Sequence, residues 1–181
     1  MINAELLPVT DSLRTLRPLT ATDAQAYADG TTDPHVRRFG HLPEPEYTPE
    51  LVTRLTETVV PAGLDRGDLA LLSIVDTDDA FLGSLVLFDI TEGSAEVGFS
   101  IHPGARGHGH AAGALDLAAR LASSSGLTAL TARTETGNLA SQRNLERSGF
   151  DLVDEAVGRT PSEDEVTLLH YRRPLTAADR P

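Results

Sequence analysis

Hydrophobic positions along this chain recur with two spacings, and their order predicts its elements. Leu13-Arg-Thr-Leu-Arg-Pro-Leu19 alternates closely enough for a first strand. Thr22-Asp23 opens a short helix through Tyr27, and residues 29–47, which hold Pro34, Gly40, Pro43 and Pro45, read as a loop. Thr48-Pro-Glu-Leu51 is a helix N-terminus with proline at the first position, and Leu51, Leu55 and Val59 fall on one face. Residues 69–75, 81–88 and 95–101 are apolar strands, joined by the acidic turn Asp76-Thr-Asp-Asp79 and by Glu92-Gly93 into an antiparallel meander. After a glycine-rich turn, Ala111, Ala114, Leu115, Ala118 and Leu121 mark a helix whose buried face is small enough to lie close on a sheet. Residues 127–133 form the next strand, so strand, loop, helix and strand make one βαβ unit. Asn138 starts a last helix and Gly149 ends it, after which residues 150–153 and 166–171 close as a hairpin with a polar loop. The fold class is α+β: one mixed, mostly antiparallel sheet with helices on its faces.

Length and composition suit a single domain over residues 1–181, with a core of about residues 13–173 and short flexible ends. Cysteine is absent, which excludes disulfides, thiolate metal sites and thiol nucleophiles. The first residues lack the basic and apolar regions of a secretory signal, and no apolar run approaches membrane-spanning length, so a cytoplasmic protein is expected. A formal net charge of −12 argues against a nucleic-acid partner. That charge is uneven. Residues 101–150 hold five Arg against three acids, a net of +2, which leaves −14 for the remainder. A locally basic segment suits an anionic ligand held at one place.

The stretch His102-Pro-Gly-Ala-Arg-Gly-His-Gly-His-Ala-Ala112 carries a glycine pattern open to two readings. As G-x-G-x-x-A, through Gly107, Gly109 and Ala112, it suits a dinucleotide in a Rossmann unit. As R-x-x-G-x-A, through Arg106, Gly109 and Ala111, it suits the pyrophosphate of coenzyme A. Context favours the second. A Rossmann turn enters its glycines directly from the strand, whereas His102 to Arg106 intervene here. The end of the next strand, near Arg133-Thr134, also lacks the acid that would hold a ribose. Gly107, Gly109, Ala111 and Ala112 leave backbone N–H groups open at a helix N-terminus, where the dipole attracts phosphate. His102, His108 and His110 do not read as a metal site, because two of them lie in a turn that must offer backbone to phosphate and no carboxylate adjoins them.

In these residues the chain resembles the GNAT N-acetyltransferase superfamily, whose signature R/Q-x-x-G-x-G/A is met by Arg106, Gly109 and Ala111. The likeness continues through Gly83-Ser84, Glu96-Val-Gly-Phe99, Asn138-Leu-Ala-Ser141 and Ser148-Gly-Phe150, and the last two are similar to the branch that acetylates the N-termini of ribosomal proteins at alanine or serine. The resemblance implies the GNAT fold, with helices on both faces of the sheet. It implies acetyl-CoA as donor, coenzyme A as product, and a primary amine as acceptor. A protein or peptide N-terminal α-amine comes first; the alternatives are a small amine (polyamine, amino acid or aminoglycoside) or a non-catalytic acyl-CoA-binding regulatory protein. It places Phe99, Ser100 and Ile101 along the pantetheine arm, on a strand that splays from its neighbour. Arg106, Gly107, His108, Gly109, His110, Ala111 and Ala112 are placed at the pyrophosphate, with Asn138 completing the cofactor site and no metal.

The implied chemistry is attack of a neutral amine on the thioester, with Glu96 as base, directly or through water. Glu96 reads alternatively as a solvent-facing group or a partner for Arg. Many family members carry a Tyr where this chain has Leu145; in the similar branch Ser141 replaces it by bonding the sulfur, and otherwise Ser141 only completes the Asn138 cap. Gly113 stands where the branch often has Glu, and His110 where it often has an aromatic, so a looser first helical turn is expected. The acidic runs Glu44-Pro-Glu46-Tyr-Thr-Pro-Glu50 and Glu163-Asp-Glu165 would border the acceptor groove on the family plan and favour a cationic acceptor. A homodimer is compatible with the sequence.

Overall fold

The computed structural model describes residues 1–40, 42–159 and 165–179. Among the described residues, eight strands share one sheet: β1 (Val9–Thr10), β2 (Thr15–Pro18), β3 (Ala70–Val75), β4 (Phe81–Phe88), β5 (Ser94–Ile101), β6 (Ala129–Glu135), β7 (Asp151–Arg159) and β8 (Glu165–Pro174). Their order across the sheet is β1-β2-β3-β4-β5-β6-β8-β7. Only β5 and β6 run parallel, because a crossover helix separates them in sequence; the other neighbours are antiparallel.

Among the described residues, six helices flank the sheet: α1 (Ala24–Thr31), α2 (Pro34–Phe39), α3 (Pro49–Glu57), α4 (Val59–Arg66), α5 (His110–Ser124) and α6 (Leu139–Arg147). Adjacent residues of β3 point to opposite faces, and the core divides accordingly. Leu72 and Ile74 join Leu85, Leu87, Val97 and the Ala114, Leu115, Ala118 and Leu121 stripe of α5 in the main core, which also takes Leu145 of α6. Leu71 faces the other way, against Leu19, Tyr27, Tyr47, Val52 and Val60 from the α1, α3 and α4 side. Helices therefore cover both faces. The alanines of α5 let its axis approach the strands closely, since each adds only a methyl between helix and sheet. No helix is long and apolar enough to cross a membrane among the described residues.

One polar group is built into this packing. Asp23, 3% exposed, accepts from Arg17 Nη1 and Nη2 at 2.7 and 2.9 Å, from Ser73 Oγ at 2.7 Å and from the Thr20 N–H at 3.0 Å. Burial opposes its charge, but the Arg17, Thr20 and Ser73 donors outweigh it and hold the carboxyl below its usual range. The entry to α1 is thus riveted to β2 and β3.

Four expectations need correction. Residues 29–47 are not all loop: Asp33 accepts from the His35 and Val36 N–H groups, and Pro34 at the first position starts α2. The helix from Thr48 breaks at Thr58, so Val59 opens α4 at 38% exposure while Val52 is the fully buried residue of α3. Tyr27 does not end its helix, which runs to Thr31. The terminal hairpin is longer than its apolar core suggests, and its polar loop lies outside the described residues.

Candidate active site

The parallel ladder of β5 and β6 is short. It pairs Ser94 with Ala129, Ala95 with Leu130 and Glu96 with Thr131, and there it stops. Beyond that point β5 follows β4 up to Ile101, and β6 follows β8 up to Glu135. Each strand stays bonded on its outer side, so a gap opens between them at the cost of one backbone edge each. Residues 97–101 present that edge to the gap with no strand beside it. Phe99 and Ile101 pack their side chains on the main core, while Ser100 faces the opposite side.

At the open end of the gap the chain makes one short turn (Pro103–Ala105) and enters the glycines. Gly107 and Gly109 have φ of +85° and +76°, a conformation that side chains strain. A Cβ on either would meet nothing within 4 Å. The turn is therefore an open concavity at the N-terminus of α5, bounded by backbone N–H groups, and it fits a pyrophosphate. His108 is exposed, and its ring lies 5.9 Å from that of His110. Burial, with Arg14 and His108 nearby, pushes the His110 pKa down, so its imidazole stays neutral; its Nδ1 is buried without a partner. Arg106 turns its side chain away from the concavity. Its Nε donates to the Ile101 carbonyl at 3.2 Å, and Nη1 and Nη2 donate to the Asp33 carboxylate at 3.3 and 2.8 Å. That pairing holds Asp33 below the usual carboxylate range and ties the turn to the cap of α2.

On the other face of β4 and β5 lies a small open cleft of about 20 Å³, lined among others by Tyr27, Val36, Phe81, Ser84, Ser100 and His102. Burial, reinforced by Tyr47, raises the Tyr27 pKa against a hydrogen bond with Ser84, so Tyr27 remains a hydroxyl. His102 Nδ1 accepts from the Gly104 N–H at 3.3 Å, which assigns the proton of a neutral ring to Nε2. Among the described residues the lining contains no carboxylate. Helix α2 supplies Val36 to this wall, while its Arg37 and Arg38 are exposed. Phe39 of α2 comes close to Gly137, where a Cβ would lie 3.8 Å from its ring, so α2 reaches across to the turn between β6 and α6. Glu44, Glu46 and Glu50 lie around the entry to α3, while Glu163 and Asp164 fall outside the described residues. Tyr27, His102 and α2 were not assigned to the acceptor side from sequence. The Asp33-Pro34 pair was the available signal for α2.

A family model described as Acetyltransferase (GNAT) domain matches residues 14–151. The chain belongs to the GNAT acetyltransferase family. It is an acyltransferase by that membership, and solved structures share its fold. RimJ from Mycobacterium smegmatis, in complex with CoA-disulfide, has 19% identity and a TM-score of 0.84, with 96% of this chain and 90% of that chain covered. A ribosomal-protein-S5-alanine acetyltransferase from Vibrio fischeri has 16% identity, a TM-score of 0.79 and coverage of 94% and 98%. A spermidine N-acetyltransferase from Vibrio cholerae, in complex with CoA and spermine, has 16% identity, a TM-score of 0.76 and coverage of 91% and 97%. No curated protein matches in sequence.

In this GNAT chain the two expected catalytic groups lie on opposite banks of the gap. Glu96 sits on β5 at the last paired position, and its Oε1 accepts from Arg133 Nε at 2.9 Å; Arg133 also reaches Asp89 at 3.4 Å. Ser141 stands in the first turn of α6, beyond β6. Its N–H donates to Asn138 Oδ1 at 3.2 Å, so the Asn138 side chain makes the cap. The Ser141 hydroxyl has no hydrogen-bond partner among the described residues, and it is only half-buried. Leu145 is fully buried in the main core, which leaves no room there for a polar acid.

Proposed function

We propose that this acyltransferase moves an acetyl group from acetyl-CoA to a primary amine, with a peptide or protein N-terminal α-amine as the preferred acceptor. The observation that carries the reading is the parting of β5 from β6 after Glu96 and Thr131, which leads from the glycine concavity towards the Ser100 and His102 side of the cleft. When bound, acetyl-CoA supplies an activated thioester. The N–H groups of residues 107–112 hold its pyrophosphate, and the free edge at residues 97–101 holds the pantetheine amides by main-chain hydrogen bonds. Tyr27, Ser84, Ser100 and His102 offer polar contacts that orient the amine. Glu96 takes the ammonium proton on Oε2, directly or by way of a water, while Arg133 engages Oε1. The Ser141 hydroxyl serves the leaving sulfur.

The peptide reading is favoured over a polyamine by the cleft itself. A polyamine brings further cations that need carboxylates, and among the described residues the cleft lining has none. A thiol-release assay with acetyl-CoA separates the readings, using peptides that begin with Ala or Ser, free amino acids, spermidine and an aminoglycoside. Release with peptides and not with polyamines is expected. Release confined to polyamines would reverse the acceptor assignment, and tight coenzyme A binding with no release from any amine would make the chain an acyl-CoA-binding protein.

A further inference from the structure

We propose that Arg14 is a positioning residue for the pyrophosphate turn, and that Gly113 is small in order to admit it. The inference rests on the reading that this turn holds coenzyme A. Arg14 precedes β2, 95 residues from the turn in sequence, and is 8% exposed. Its Nη1 donates to the carbonyl of Gly109 at 3.0 Å and to that of His110 at 3.5 Å. The Gly109 carbonyl also receives the Gly113 N–H at 3.2 Å, so it is held from two directions. Asp11 steadies the arginine, with Oδ2 3.3 Å from Nε and Oδ1 accepting from the Leu13 and Arg14 N–H groups.

The consequence follows from the planarity of the peptide unit. In a trans peptide the C=O of one residue and the N–H of the next point in opposite directions within one rigid plane. Fixing the carbonyls of Gly109 and His110 therefore fixes the N–H groups of His110 and Ala111, which face the opposite way, on the side of the concavity. A turn entered through two positive-φ glycines has little stiffness of its own, so an external brace is what pre-organises these donors. The guanidinium also polarises both peptide units in the sense that favours an anion. Space for it exists only because residue 113 lacks a side chain: a Cβ there would overlap Arg14 Nη1 and Cζ. Gly113 and Arg14 are thus one complementary pair, and the first turn of α5 is braced from outside the helix instead of loosened.

The test is a double-mutant cycle on coenzyme A affinity by calorimetry, with Arg14→Ala, Gly113→Ala and the double variant. A second readout is kcat/KM for acetyl-CoA relative to acetyl-pantetheine, which lacks the pyrophosphate. Each single change is expected to weaken coenzyme A binding by ~10-fold and to lower the donor ratio by about the same factor. The double variant is expected to bind no more weakly than Arg14→Ala, because the new methyl then meets no guanidinium. Additive losses, or equal losses with both donors, would overturn the proposal in favour of general packing. If Arg14→Ala does not fold, Arg14→Lys carries the same cycle, since it keeps the stem and the charge but not the two-carbonyl reach. Failure of the wild-type chain to bind coenzyme A would instead overturn the functional reading beneath it.

Discussion

Glu96 and Arg133 meet across the base of the gap, Oε1 to Nε at 2.9 Å, where β5 and β6 stop pairing. Glu96 is 14% exposed and Arg133 42%, so the pair stands at the boundary between core and solvent. The arginine fixes one carboxylate oxygen and leaves Oε2 outside that bond. Glu96→Gln is expected to lower kcat near neutral pH by ~10²-fold, the low end for acid–base assistance. Activity should move to higher pH, where a peptide α-amine with a pKa near 8 deprotonates unaided. Acetyl-CoA affinity should change little. An unaltered pH–rate profile would assign Glu96 to the ion pair alone.

Gly109 tests the concavity. Its φ of +76° strains any branched residue, and a side chain there would project into the open space of the turn. Gly109→Val is expected to weaken coenzyme A binding by ~10²-fold or more, about 2.7 kcal/mol, in a protein whose far-ultraviolet circular dichroism is unchanged. Calorimetry showing wild-type affinity in the folded variant would remove the turn from the binding site.

Ser141 can now be separated from the cap of α6, because Asn138 Oδ1 bonds the Ser141 backbone and not its hydroxyl. Ser141→Ala should therefore cost well under the ~1 kcal/mol of a lost cap, while Asn138→Ala costs about that much. Turnover per folded molecule of Ser141→Ala is expected to fall by roughly 10-fold or more, from the lost assistance to the leaving sulfur. Full turnover in a variant of wild-type stability would leave Ser141 without a chemical role.

Asp23 makes part of the fold's stability depend on pH. Its carboxyl titrates below the usual range in the folded chain, so the stability it contributes is complete above the unfolded value near 4 and is lost as pH falls through the lowered folded value. Asp23→Asn leaves Arg17 facing a neutral amide and is expected to cost about 3 kcal/mol, or ~6–12 °C in Tm at neutral pH. The difference from wild type should shrink as pH falls below about 4, where the unfolded carboxyl takes up its proton first while the native one stays charged until its lowered value is reached. Thermal melts at pH 7 and pH 3 that differ equally between the two proteins would exclude this linkage.

Most strands, the α5 stripe, the Thr48-Pro49 start and the Gly149 stop were legible in the sequence, because each is set within one or two turns of chain. Gly149, at φ of +73°, ends its helix for a reason carried by the residue itself. The glycine turn at 107–112 was legible for the same reason: backbone freedom and a helix N-terminus are local properties. Where local signals conflicted, reading failed. Pro34 marks a break when counted among prolines and a helix start when taken with the Asp33 cap. An arginine partner for Glu96 was readable, but which side chains meet was beyond reach. Arg106 fits a phosphate motif yet bonds Asp33, 73 residues away; Glu96 finds Arg133 at a separation of 37, and Arg14 finds Gly109 at 95. Strand order and the point at which β5 leaves β6 decide these meetings. Both follow from which edges stay hydrogen-bonded when the whole sheet closes over α5, a balance to which no single stretch of sequence contributes enough to reveal it.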